Sequence, residues 1–152
     1  MTFRLSTPAF AEGGPIPELH TCEGANLSPA LEWSGEPPAA LSFALVMEDP
    51  DAPGGIWTHW LLAGIPLAVH SLPQGFKPGS LGVSGVNDFG RPGYGGPCPP
   101  RGHGPHRYFF RLMALDITSL GVKPGVRRRD FDNALRGHVL AEAVLMGRYE
   151  RH

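Results

Sequence analysis

The stretch Leu41–Ile65, LSFALVMEDPDAPGGIWTHWLLAGI, decides the fold class. Its first nine residues, as far as Asp49, are apolar on both faces and are bounded by Pro50. A short apolar run of that kind reads as a central strand covered on both sides. WTHWLLAGI, Trp57–Ile65, is the next strand, separated by the turn DAPGG and weakened at its end by Gly64 and Pro66. Arg107–Asp116, RYFFRLMALD, reads as a further strand, and Thr2–Ser6, Leu31–Trp33 and Leu140–Arg151 as three more. Arg129–His138 is the one helical pattern, with Phe131, Ala134, Leu135 and His138 on one side and Asp130 and Asp132 near its start, where the helix dipole favours negative charge. Leu67–Pro105 reads as a long loop with one candidate strand at Val83–Val86, and a loop of that length inside a compact domain is usually functional.

Gly and Pro number 21 and 17, enough to suggest disorder in a low-complexity chain. Here they separate apolar runs, which predicts a loop-rich, mostly β protein. With 152 residues and no repeat or linker, one domain spanning 1–152 is expected. A formal charge of -1 gives no electrostatic reason to bind nucleic acid, and Arg127–Arg129 reads as a solvated helix start or loop. No apolar run approaches a membrane-spanning length, and no apolar segment precedes Ala9-Phe10-Ala11 to make it a cleavage site. A cytoplasmic protein is therefore expected. Cys22 and Cys98 fit either a reduced protein or one optional bridge.

Chemistry-bearing residues gather at strand ends. By alternation His106, Tyr108, Phe110 and Leu112 share one face of their strand, Asp49 shares a face with Leu45 and Met47, and His59 shares one with Trp57 and Leu61. His106 and Tyr108 emerge from PCPPRGHGPHRY, Pro97–Tyr108, a segment too rich in Pro and Gly for helix or extended strand. His103 and His106 with Cys98 nearby could suggest a metal, but such sites need further matched ligands, so no metal or other cofactor is expected and His103 reads as a solvated loop residue. Asp49 is expected to bond one of the histidines, without the sequence saying which; Arg107 faces the other way and is expected to pair with Asp51, while Arg101 is placed to draw anions in.

DPDAP (49–53), WTHW (57–60) and YGGPCPPRGHGPHRYFF (94–110), with TCEGANLSPALEW (21–33) and the closing GHVLAEAVLMGRYER, resemble the phosphatidylethanolamine-binding protein family, which includes the Raf-kinase-inhibitor-like proteins. The resemblance spans nearly the whole chain. It implies an antiparallel β-sandwich-like fold with one or two short helices, and a small pocket for phosphate or phosphorylated head groups. Carried over by motif, its ligand-binding residues are Asp49, His59, His106 and Tyr108, with backbone around Cys98 completing the floor. The three-residue spacer Gly54–Ile56 and the GPCPP form look like the bacterial and archaeal branch, and the absence of a helix after Arg151 implies a more open, less selective mouth.

A rigid Pro/Gly loop lets backbone N–H groups approach a phosphate, while a protonated imidazole and a phenol add donors. A non-catalytic binding module with a small anion pocket, with a regulatory role open to it, is therefore expected. Two alternatives stand beside it: an inhibitor or regulator of a protein kinase or protease, and a hydrolase with histidine as base and Asp49 as its orienter. The hydrolase lacks a nucleophile, since there is no G-x-S-x-G and Cys98 lies between prolines. A homodimer is expected by analogy with prokaryotic relatives.

Overall fold

The computed structural model describes residues 2–152. Eight strands form two antiparallel sheets. They are β1 (Arg4–Ser6), β2 (Leu31–Ser34), β3 (Ser42–Asp49), β4 (Trp57–Pro66), β5 (Ser71–Leu72), β6 (Val83–Ser84), β7 (His106–Leu115) and β8 (Val139–Tyr149). The larger sheet runs β6-β4-β3-β7-β8 and the smaller β1-β2-β5. One helix, α1 (Arg128–Leu135), lies outside the larger sheet, and a single 3-10 turn covers Glu18–His20.

Every residue of β3 is buried, because two layers of side chains cover it. Phe43, Leu45 and Met47 meet Trp33, Trp60, Leu62, Phe110 and Leu112 between the sheets. Ala44 and Val46, on the opposite face, meet Leu61, Ala63, Met113 and the Phe131 and Leu135 side chains of α1. Full burial of an aromatic or branched aliphatic side chain is worth about 1.5–3 kcal/mol, so these two layers are the main driving force for the sandwich.

The helix is shorter than its sequence pattern. It stops at Leu135, and Gly137 turns the chain at a positive φ of 79°, so His138 leaves the helical face and bonds Asp116 at 2.8 Å instead. Arg128 also departs from expectation. Its guanidinium bonds Glu48 at 2.7 Å, Asp132 at 2.9 Å and Thr58 at 3.1 Å, tying α1 to the sheet, and Arg111 reaches the other Glu48 oxygen at 3.2 Å. The region 67–105 does hold two short strands, and side-chain bonds to backbone order much of the rest. Asn87 accepts the Phe89 and Arg91 N–H groups and donates to Gly93, and Tyr94 donates to the carbonyl of His20.

Candidate functional site

Asp49 ends β3 and opens a tight turn. One carboxylate oxygen accepts the Asp51 N–H at 2.7 Å and the other accepts a ring nitrogen, Nδ1 of His106, also at 2.7 Å. The imidazole that Asp49 chooses is thus His106, and both partners are buried. Their alignment has a visible cause. Arg107 grips Asp51 through its backbone N–H at 2.9 Å, Nε at 3.0 Å and Nη2 at 2.9 Å, clamping the start of β7 onto the turn after β3. That two-point fork holds the Asp51 carboxyl down at about 2.

His59 reaches the site by a break in pairing. Met47 faces Trp60 and Glu48 faces Thr58, which leaves His59 as the extra residue of a β-bulge. A bulge re-aims a side chain, and alternation therefore fails here. Leu61 packs beneath α1, whereas the His59 ring stands 5.3 Å from the ring of Tyr108 on the other side of the sheet. Its Nδ1 donates to the carbonyl of Gly95 at 2.6 Å. A Cβ at Gly95 would lie 2.5 Å from the Phe89 ring, so glycine there lets Phe89 pack close beside His59. Burial pushes the His59 imidazole below its ordinary range, with the Gly95 bond and the Asp49 and Asp88 charges opposing, so the ring is neutral.

His106 and Tyr108 share a face of β7, as alternation requires, and Phe110 and Leu112 continue it into the core. The Tyr108 hydroxyl is buried and has no hydrogen-bond partner among the described residues. Burial first, then the charge of the nearby Asp49 carboxylate and a loose contact with it that falls short of hydrogen-bond geometry, push the phenol far above its ordinary range. It is a donor held protonated.

Cys22 and Cys98 are joined, with Cα atoms 5.4 Å apart, and the Cys22 N–H donates to the carbonyl of Pro97 at 3.1 Å. This staple presses Cys98, Pro99 and Pro100 against the ends of β3, β4 and β7. Together Asp49, His59, Cys98, His106 and Tyr108 line one cavity of about 330 Å³. Phe89 and Trp57, in edge contact at 5.4 Å, form an apolar rim with Ala52 and Pro53. Phe89 carried no signal in the sequence, because it sits in the unpatterned stretch before Tyr94.

His103 is the solvated loop residue expected, with one contact that was not. It is exposed, yet its Nδ1 lies 2.6 Å from Nε2 of His106. Arg101 is exposed as well and stands 4.0 Å from Glu23. Among the described residues no three His, Cys, Asp or Glu side chains converge as a metal site would require, and no helix is long and apolar enough to cross a membrane.

The phosphatidylethanolamine-binding protein family model matches residues 6–150. A UPF0098 protein of Methanothermobacter thermautotrophicus is 48% identical over 151 residues, covering 97% of this chain and 98% of its own. The crystal structure of Escherichia coli YbcL, described as a new member of the mammalian PEBP family, superposes with a TM-score of 0.93 at 35% identity over the full length of both chains. A carboxypeptidase Y inhibitor, solved with its cognate proteinase, shares the fold at a TM-score of 0.52 and 16% identity, covering 99% of this chain and 83% of that one.

Proposed function

This chain belongs to the phosphatidylethanolamine-binding protein family, and on that footing we propose that the cavity between Asp49, His59, His106 and Tyr108 binds small phosphorylated or otherwise anionic ligands without turning them over. The observation that carries the reading is the Tyr108 hydroxyl. It makes no hydrogen bond of full geometry, and the Asp49 carboxylate it leans on is already taken by the Asp51 N–H and His106. A bound oxyanion would supply its missing partner, a bond to a charged group worth about 1.5–3 kcal/mol. Asp49 belongs beside an anion because it holds Nδ1 of His106 at 2.7 Å and so fixes the orientation of the ring at the cavity wall. The apolar rim of Trp57, Phe89 and Pro53 suits the carbon skeleton of a head group and leaves the charged end to the interior.

The hydrolase alternative loses its remaining candidate nucleophile, since the Cys98 sulfur is spent in the disulfide. A proteinase as partner rests on likeness of fold alone. The disulfide also sets a condition on location, because such a bond persists most readily in oxidising surroundings. A cytoplasmic setting requires that it survive there, which a free-thiol count on freshly lysed cells measures.

Calorimetric titration with inorganic phosphate and with O-phosphoethanolamine tests the reading. Saturable binding is expected, weakened roughly tenfold or more in Tyr108→Phe, as loss of a hydrogen bond to a charged group implies. No binding of either compound by the wild-type protein would overturn it.

A further inference from the structure

Both ring nitrogens of His106 are engaged inside the protein. Asp49 Oδ2 accepts from Nδ1 at 2.7 Å, and Nε2 meets Nδ1 of His103 at 2.6 Å. Two facing imidazole nitrogens can hold only one proton between them, so a single shared proton joins the rings. A ligand in the cavity therefore meets His106 with no donor to spare unless His103 lets go.

The setting of His103 permits that release. His106 is buried to 2% exposure while His103 stands in solvent. Glycines flank His103 on both sides, Gly102 with φ 72° and Gly104 with φ 90°, and a Cβ built on either would touch nothing. The base of the turn is fixed instead: the Gly102 N–H donates to the carbonyl of Arg151 at 2.9 Å, and Arg151 Nε donates to the carbonyl of Pro99 at 2.6 Å. The His103 N–H is held by the carbonyl of Pro100 at 3.2 Å, so the backbone stays in place while the imidazole, between two glycines that touch nothing, is free to rotate away without disturbing the cavity wall.

We propose that His103 is a displaceable latch on the ligand site, occupying Nε2 of His106 in the free protein and surrendering it to an incoming anion. The inference rests on the cavity being a ligand site and adds how access to it is controlled. The proton balance is simple. Where the shared proton already belongs to an imidazolium His106, it stays there and is presented to the ligand as His103 leaves. Where the two rings start neutral, binding takes up one proton from water. In both cases His106 ends as a cation between Asp49 and the ligand, and His103 ends solvated. Water replaces His103 in a His103→Ala variant and competes more weakly for the same nitrogen.

The experiment is phosphate titration of the wild-type protein and of His103→Ala, with imidazole ¹⁵N spectra of both. Affinity is expected to rise about three- to tenfold in the variant, the equivalent of one modest hydrogen bond no longer broken on binding. In the spectra, the His106 Nε2 resonance should shift on the substitution alone, and saturating phosphate should return the wild-type His103 to the position of a free imidazole. Unchanged affinity would overturn the latch and leave the ligand site standing. Weakened affinity would overturn it too, by making His103 a ligand contact. Absence of binding in both proteins would overturn the ligand site itself and the latch with it.

Discussion

Opening the Cys22–Cys98 bond should cost both stability and binding, and the first cost can be worked from the chain. The two cysteines are 76 residues apart. Closing a loop of that length lowers the entropy of the unfolded chain by an amount worth about 4.5 kcal/mol at 25 °C in the chain-entropy relation. Native bridges return less than this ceiling when the unfolded chain keeps structure, so a loss of about 2–4.5 kcal/mol is expected for the Cys22→Ser/Cys98→Ser double variant. With a urea slope of roughly 2 kcal/mol per molar, the unfolding midpoint should fall by about 1–2 M. The same variant releases the Cys98–Pro100 segment from the Thr21 turn, leaving the Cys22–Pro97 backbone bond to hold that wall of the cavity. The assay is urea unfolding followed by tryptophan fluorescence, with and without reductant, beside a thiol count on the native protein. Wild-type and variant proteins that unfold at the same midpoint would refute the argument, as would two titratable thiols in the non-reduced native state.

Four further outcomes follow from the charges. The His59 imidazole is held below its ordinary 6.5, so the unfolded chain binds a proton in the window beneath 6.5 that the folded one refuses. Stability should therefore decline as pH falls through that window, by up to about 1.4 kcal/mol per unit, and His59→Gln should flatten the slope in pH-dependent urea melts. Asp51 is the acid-side counterpart: its contribution is complete above 3.8 and lost as pH drops towards 2, so the acid-unfolding curves of wild type and Asp51→Asn should converge near pH 2. Arg128→Ala should destabilise by about 1–3 kcal/mol in thermal melts, less than the full cost of orphaning a buried charge because Arg111 still holds Glu48. Arg129→Ala, whose side chain is almost fully exposed, should change little.

What the sequence could reveal depended on the range of each interaction. Period-two alternation correctly put Asp49 beside Leu45 and Met47, and His106 beside Tyr108, because those strand ends are regular up to the cavity. The same rule put His59 rightly beside Trp57 at the cavity but wrongly beside Leu61, since a bulge is a fact of pairing between β3 and β4 and neither strand announces it alone. The motif resemblance put His59 in the pocket where local pattern could not. The Asp51–Arg107 pair was legible from opposite charges on outward faces, but the choice of His106 over His59 by Asp49 spans 57 residues and needed coordinates. Arg128 looked like part of a solvated basic run because Glu48, the acidic partner that ties it to the sheet, lies in β3, 80 residues away. The stretch 67–105 stayed unreadable for another reason. Its order comes from single bonds such as Tyr94 to His20, not from a repeating pattern.

The most direct measurement is a crystal structure of the protein grown with saturating O-phosphoethanolamine. The account predicts phosphate density inside the cavity lined by Asp49, His59, His106 and Tyr108, with the Tyr108 hydroxyl and Nε2 of His106 donating to its oxygens and the His103 ring turned out to solvent. An empty cavity at saturation, or phosphate bound elsewhere with the Tyr108 hydroxyl still unpartnered, would contradict it.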